Sequence, residues 1–294
     1  MGTDELIAKI DKILKNEDDS LKKELKEAGY EEIDYTIEKI SELEDTISDL
    51  LTEELKHLIK DGDFETLEEF MKYVESQIGT DNIDTSLAET LKSCYQEAIE
   101  NLGDTYLQGI DKDLSLTKVF SPYTTTFIDE WSSKLGEMMK LTSHEKLQNI
   151  LDKALEDGES VEDVVGKLSE TYGFSRTRAR ATAITEMLRA HSYAKDEAFN
   201  QCPAVTGIQW KHSGGRGIHP RQHHVDLDGT VINKGEYFTV GIYEARFPRD
   251  INLPASETVN CHCTHGPVID KDILGLSKEE KEAIRDQVIA EYNL

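Results

Sequence analysis

The spacing of the apolar residues changes once along this 294-residue chain, and that change limits the fold most strongly. Up to about residue 200 the apolar residues recur three to four positions apart, which is typical of amphipathic α-helices. In the first hundred residues they form a stripe of Ile33, Ile37, Ile40, Ile47 and Leu51. Such a stripe predicts burial against partner helices, in a bundle or a short coiled-coil hairpin.

After Pro203 the pattern becomes typical of β-strands. Three short runs rich in β-branched and aromatic residues, VTGIQW, GTVI and EYFTV, are bounded by Gly, Asn and Pro. A last amphipathic helix is predicted over 277–292, because Ser277 and Glu280 have the spacing of a capping box. The predicted fold class is α+β, with a mostly helical N-terminal two-thirds, a small β-rich module and a C-terminal helix.

Changes in composition and turn residues divide the chain into four predicted segments. They are an acidic helical bundle or coiled-coil arm (1–110), a helical domain (111–200), a small β-rich module with histidines and cysteines (201–270) and a C-terminal helix (271–294). Within the helical domain, Gly158 and Gly173 are predicted helix ends, and Ser160 is a predicted N-cap.

The net charge is strongly negative and unevenly distributed. The whole chain carries −26, and residues 1–100 contain 29 Asp or Glu against 11 Lys, which gives −18. Such a surface repels phosphate backbones, so general nucleic-acid binding by the N-terminal half is not expected. No stretch approaches the ~18 consecutive apolar residues that a membrane span requires, so no membrane contact is expected either.

The densest basic patch lies in a helix predicted from residue 175 to about 200. It contains Arg176, Arg178, Arg180 and Arg189. Glu186 is three positions from Arg189, so the two side chains can form an ion pair on one face of the helix. An internal ion pair, or a docking surface for the β-rich module, is favoured over contact with phosphate.

Six of the nine histidines and two of the four cysteines lie between Trp210 and His265. This clustering of imidazole and thiol groups predicts a metal site or a reactive pocket. Zinc is the predicted ion, because thiolate and imidazole suit it and the chain has too few cysteines for an iron–sulfur cluster. The predicted ligands are His224, Cys261 and Cys263, with His265 or His219 completing the set.

An alternative without metal stays open. Only one residue separates Cys261 from Cys263, whereas structural zinc fingers place two to four residues between paired cysteines. The two cysteines would then be small buried apolar groups in a hydrogen-bonded polar core. Asp228 and Gly229 are interpreted as a β-hairpin turn, in which the glycine adopts a positive φ, rather than as metal or catalytic residues.

Several short motifs follow one another in order over about residues 140–270. They are RATAITEMLRAHSYA with Thr185 and Glu186, then Trp210, RQHHVDLDG from Arg221 through Asp228 to Gly229, Phe238, Pro254 and NCHC from Asn260. This order resembles the phage Mu protein F-like minor head family. Ile184 stands where the family usually has arginine, and His262 replaces the arginine of the family's NCRC.

The resemblance implies a structural virion component, present in few copies, that joins procapsid assembly near the portal and influences genome packaging or exit. The implied partners are the portal, other head proteins and phage DNA. The implied locations are the virion and the cytoplasm of the bacterial host during assembly. No enzymatic activity is expected, since the sequence offers no recognisable set of nucleophile, base and orienting residue.

The main alternative is a metal-dependent nuclease of the His-Asn-His type. His223, His224, Asn260 and His265 loosely follow its order, and a histidine would activate water while a divalent metal stabilises the leaving oxygen. The negative charge disfavours this alternative. A toxin with a catalytic C-terminal module is disfavoured too, because only about 25 residues follow Ile269.

Overall fold

The fold belongs to the α+β class, as the sequence predicts. The computed structural model describes residues 17–58, 64, 66–77, 80, 82–117, 119–213 and 220–292. Long helices form most of the described chain, and a small antiparallel sheet and a two-stranded ribbon follow them. Among these residues no helix is long and apolar enough to cross a membrane.

The part before the sheet is helical. Its elements are α1 (17–28), α2 (Ile33–Leu58), α3 (Leu67–Gln77), α4 (Ile83–Ile110), α5 (Pro122–Thr126), a π-helical turn (Phe127–Trp131), α6 (Ser132–Asp157) and α7 (Val161–Gln201). The apolar stripe of α2 is buried as predicted, with Ile40 and Ile47 completely inaccessible and Ile37 and Leu51 nearly so.

The ends of α6 and α7 test the helix boundaries that the sequence predicts. Asp163 N–H donates to Ser160 Oγ at 3.2 Å, which confirms the predicted N-cap. Gly158 ends α6 with a φ of 68°. The predicted helix end at Gly173 is wrong, because α7 continues to Gln201. A glycine costs a helix interior about 1 kcal/mol, which the packing of the buried residues further along α7 offsets.

The C-terminal part combines short strands and short helices. Its elements are β1 (Val205–Lys211), α8 (Gln222–Asp226), β2 (Val231–Asn233), β3 (Phe238–Val240), β4 (Tyr243–Ala245), α9 (Ala255–Thr258), β5 (Thr264–Ile269), α10 (Lys271–Leu274) and α11 (Lys278–Tyr292). Strands β2, β1 and β5 form an antiparallel sheet in that order, and β3 pairs with β4. Ser277 N–H donates to Glu280 Oε2 at 2.9 Å and Glu280 N–H donates to Ser277 Oγ at 3.3 Å, which confirms the capping box before α11.

The predicted hairpin at Asp228 and Gly229 is wrong in its partners. The two residues lie in a turn between helix α8 and strand β2 rather than between two strands. Gly229 has the expected positive φ, 78°, and its N–H donates to Trp210 O at 2.9 Å. The Asp-Gly pair therefore predicted the local backbone conformation correctly. The sequence did not predict α8, because a helix of five residues is too short to show a periodic pattern.

The described chain groups into two compact units made of non-consecutive segments. Unit 1 contains Met1–Ile40, Glu97–Thr124 and Ile184–Leu294, and unit 2 contains Ser41–Gln96 and Thr125–Ala183. The β-rich module lies in unit 1. The four consecutive segments stay a prediction, because a compact unit is not by itself an independently folding domain.

Unit 2 has its own core, which α3 forms with α6 and the start of α7. Its buried members are Phe70, Val74, Leu147, Leu151, Ala154, Val164 and Leu168. In the same unit Gly136 lets α6 approach the start of α4 closely. A Cβ at this position would lie 2.4 Å from the carbonyl oxygen of Asp84.

We expect Gly136→Ala to lower the free energy of unfolding by about 1–3 kcal/mol, because backbone atoms cannot give way as a flexible side chain would. Gly166 is the matched control, since it is exposed in α7 and nothing lies within 4 Å of an added Cβ. Gly166→Ala should raise the free energy of unfolding by up to about 1 kcal/mol. Urea unfolding followed by circular dichroism measures both, and effects of the same sign would contradict the close approach at Gly136.

Candidate metal centre

Three of the predicted ligands meet in the interior of unit 1. His224 Nδ1 lies 3.5 Å from Cys261 Sγ and 3.6 Å from Cys263 Sγ. One donor atom from each of the three residues lies within 4.8 Å of the other two, and all three side chains are buried. Helix α8 supplies the histidine, and the extended segment just before β5 supplies both cysteines.

The structure does not bring the fourth predicted ligand, His265, to this group. Its ring stacks on Phe247 with centroids 5.4 Å apart and meets Phe199 edge-on at the same distance. Burial lowers the pKa of His265 well below its ordinary value, so the ring is neutral among these aromatic side chains. His219, the other predicted candidate, lies outside the described residues.

A different histidine, His212, approaches one of the two sulphur atoms instead. Its Nδ1 lies 3.4 Å from Cys263 Sγ. His212 directly follows β1, two positions after the buried Trp210. Residues two apart on an extended chain share a face, so lengthening the predicted strand VTGIQW by two residues would have drawn attention to His212.

The imidazole of His224 has neighbours in two further directions. Its Nε2 lies 3.1 Å from Glu257 Oε2 on α9. The ring of Trp210 meets it edge-on with centroids 5.4 Å apart, and Trp210 packs in the same way on Phe238 at 5.3 Å. A carboxylate on the far nitrogen is the usual partner of a metal-bound histidine, since it fixes the tautomer and the ring orientation.

Arg221 fixes the position of α9 and of the segment that leads to the cysteines. Its Nε donates to Ser256 O, and its NH2 group donates to Val259 O at 2.7 Å. Both acceptors are backbone carbonyls on either side of Glu257. Arg221 thus positions the carboxylate of Glu257, which faces His224.

Arg249 supports the two cysteines from inside the protein. One terminal nitrogen donates to Cys261 O at 2.6 Å and to Cys263 O at 2.7 Å. The other donates to Tyr30 Oη at 2.9 Å and to Ser192 Oγ at 2.7 Å. Because one fully buried guanidinium holds both carbonyls, the backbone around the intervening residue has little freedom.

The threonine and glutamate of the α7 motif act on the same segment. Asn260, just before the first cysteine, has a φ of 53°, and its N–H donates to Thr185 Oγ1 at 3.2 Å. Glu186 accepts a hydrogen bond from Arg189 Nε at 2.8 Å, as their spacing predicts. Arg189 in turn donates to Arg249 O. Helix α7 therefore contacts the residue just before Cys261, and it also contacts the backbone of the arginine that holds both cysteine carbonyls.

The other arginines of the basic patch make contacts within unit 2. Arg180 NH1 lies 2.9 Å from Glu44 Oε2, and Arg176 Nε lies 3.5 Å from Glu44 Oε1. Arg178 donates to Met139 O at 3.0 Å. These contacts agree with the structural interpretation that the sequence favoured over phosphate contact.

The two thiols differ in acidity. A hydrogen bond from Cys263 lowers the pKa of Cys261 well below its ordinary value despite burial, and His224 and Arg249 add to this effect. The same hydrogen bond and burial raise the pKa of Cys263. One thiolate is therefore favoured by the protein alone, whereas a second needs additional positive charge, which a bound cation would supply.

Lys195 forms a second buried charge cluster in unit 1. Its Nζ donates to Thr264 Oγ1 at 2.6 Å and lies 4.9 Å and 4.7 Å from the ring centroids of Tyr30 and Tyr106. Burial lowers the pKa of Lys195 from 10.5 to about 7, and the charge of Arg249 acts in the same direction. The folded protein thus binds this proton less readily than the unfolded chain does.

Lys195→Met is expected to remove part of the pH dependence of stability. Between about pH 7 and pH 10 the unfolded chain holds more protons at Lys195, so the free energy of unfolding of the unmodified protein rises with pH. Below pH 7 the cost of protonating Lys195 is fully present in the folded state. Urea unfolding at pH 7, 8 and 9 should give a shallower rise for the variant. Lys278→Met, at an exposed lysine of α11, should keep the original slope, and an unchanged slope for Lys195→Met would contradict the assignment.

Fold and site together define a mostly helical protein whose β-rich module contains a buried histidine and cysteine cluster. Residues 129–265 match the family model described as Phage Mu protein F like protein. The chain is also 41% identical over 239 residues to the uncharacterized protein YqbB of Bacillus subtilis (strain 168), which covers 80% of this chain and 78% of that protein. The chain belongs to the phage Mu protein F-like family, which associates it with phage head morphogenesis.

A second relative is similar over a shorter stretch. The NAD(+)--arginine ADP-ribosyltransferase EFV of Enterococcus faecalis (strain ATCC 700802 / V583) is 28% identical over 164 residues, or 54% of this chain. That stretch amounts to 32% of the Enterococcus protein. No solved structure matches the chain significantly.

Proposed function

We propose that this chain is a minor head protein that acts near the portal in procapsid assembly and in genome packaging or exit. The family match over residues 129–265 is the observation that carries the proposal. The contacts inside the matched stretch support a structural role. Thr185, Arg221, Asp228 and Asn260, all from the ordered motifs, make hydrogen bonds to or from backbone groups within unit 1.

The proposed partners are the portal and other head proteins, met in the host cytoplasm during assembly and in the virion afterwards. The charge of −18 over residues 1–100 favours a protein surface with basic side chains. Contact with phage DNA is proposed only outside the basic patch of α7, because Arg176 and Arg180 already pair with a carboxylate.

Assembly experiments test this proposal directly. When the chain is produced with a tag together with the head genes of its phage, the portal protein should co-purify with it. Mass spectrometry of purified procapsids and virions should find a few copies per particle. A tagged protein of similar size and net charge serves as the control. Consistent absence of the chain from both kinds of particle would overturn the proposal.

We also propose that the chain is not an enzyme. The residues of the nuclease alternative have other surroundings: His224 faces two sulphur atoms, His265 packs between aromatic rings, and Asn260 N–H is bonded to Thr185. The activity named for the Enterococcus relative is not proposed here, because the similarity covers 32% of that protein.

Within this structural role, we propose that zinc binds His224, Cys261 and Cys263. The donor chemistry fits, because thiolates and a neutral imidazole are the ligands of structural zinc. The carboxylate of Glu257 lies where a metal-bound histidine usually finds its partner. A bound ion would also stabilise the second thiolate that burial disfavours.

The purified full chain should contain about one equivalent of zinc by elemental analysis. Cys261→Ser and Cys263→Ser should each lose most of it, whereas Cys94→Ser, at a partly buried cysteine of α4, should retain it. Chelation should lower the midpoint of thermal unfolding. Less than about a tenth of an equivalent, together with unchanged unfolding after chelation, would remove zinc from the proposal.

A further inference from the structure

Three distances between these nitrogen and sulphur atoms have the length of an edge of a zinc tetrahedron. Zinc bonds of about 2.3 Å to sulphur and about 2.0–2.1 Å to nitrogen, at tetrahedral angles, place each nitrogen about 3.5–3.6 Å from each sulphur. The distances from His224 Nδ1 to the sulphurs of Cys261 and Cys263 are 3.5 and 3.6 Å, and His212 Nδ1 lies 3.4 Å from Cys263 Sγ. We infer that His212 is the fourth protein ligand and that it closes the centre as a structural Cys2His2 zinc site.

Hydrogen bonding alone explains the same contacts less well. A ring N–H points in one direction in the plane of the imidazole, and a good hydrogen bond is nearly linear. His224 Nδ1, however, is almost equally far from two different sulphur atoms. Equal distances are the natural result when a common centre lies among the donors. His212 contacts the Cys263 sulphur at a similar distance from a separate element, the end of β1.

The turn before β2 holds His212 in place. The backbone N–H of His212 donates to Asp228 Oδ1 at 2.8 Å. Next to this contact, Gly229 N–H donates to Trp210 O, and Trp210 N–H donates to Thr230 O, both at 2.9 Å. The Asp-Gly turn therefore fixes the last residues of β1, and it does so from the chain that directly follows the His224 helix. Asp228 is a positioning residue for His212.

Four protein ligands would leave no coordination position for water. Catalytic zinc sites keep such a position, whereas structural sites are closed. The charges of the donor set also balance, because two thiolates neutralise the ion, while Glu257 lies between His224 and Arg221. The assignment of His212 rests on the zinc binding proposed above. It adds that the metal connects the end of β1, α8 and the segment before β5, and that it takes no part in hydrolysis.

Cobalt(II) substitution of the full chain tests the assignment. The unmodified protein should show the intense visible absorption of tetrahedral cobalt with two thiolates. His212→Ala should shift this spectrum, because water would take the fourth position in place of an imidazole, and added imidazole should restore it. His212→Cys should stay tetrahedral and gain absorption from a third thiolate. His223→Ala, at the exposed neighbour on α8, is the matched control and should match the unmodified protein.

Zinc affinity gives a second readout. Competition with a chelator should show at least about tenfold weaker binding for His212→Ala, and Asp228→Ala, which removes the acceptor of the His212 N–H, should fall between that variant and the unmodified protein. If His212→Ala does not fold, the spectrum of His212→Cys still tests whether residue 212 is a ligand.

The possible failures are distinguishable. If the unmodified protein binds neither zinc nor cobalt, the zinc proposal itself is overturned. If metal binding depends on His224 and both cysteines but His212→Ala keeps the spectrum and the affinity, only the assignment of His212 is overturned. Metal-dependent cleavage of plasmid DNA that His224→Ala abolishes would also contradict a closed site.

Discussion

The buried guanidinium of Arg249 is the interaction on which the geometry of the β-rich module depends. A guanidinium without solvent requires acceptors for its N–H groups, and the carbonyl oxygens of Cys261 and Cys263 supply two of them. Tyr30, far away in the sequence, supplies another. Because these carbonyls are held from the inside, both sulphur atoms can face His224. Loss of this cation would free the segment that carries the two thiols.

A small sheet of this kind has little stability of its own. Strand β2 has three residues and pairs with β1 alone, and the ribbon of β3 and β4 is equally short. Strands this short require other support. Here Arg221 and the motif residues on α7 supply this support through hydrogen bonds with the backbone. The proposed zinc centre would also crosslink three elements. A rigid module would suit the role in head assembly proposed above.

Family membership and the site support the same kind of role from different directions. The family associates the chain with phage head morphogenesis, whereas the site consists of side chains that position backbone rather than face an open cleft. The acidic N-terminal helices add a surface suited to basic protein partners. Arg176 and Arg180 form ion pairs with Glu44. The basic patch of α7, which could have suggested nucleic-acid binding, therefore has a structural role.

The sequence by itself determined the features that depend on neighbours along the chain. The periodic stripe of α2, the caps at Ser160 and Ser277, the positive φ of Gly229 and the ordered family motifs could all be read from local spacing. Only the tertiary structure decided which histidine joins His224 and the two cysteines. His265 is two positions from Cys263 in the sequence and His212 is 51 positions away, yet the ring of His265 packs against aromatic rings, while a backbone contact to Asp228 holds His212 beside Cys263. Such choices depend on distances between residues about 40 to 50 positions apart, which no local pattern contains.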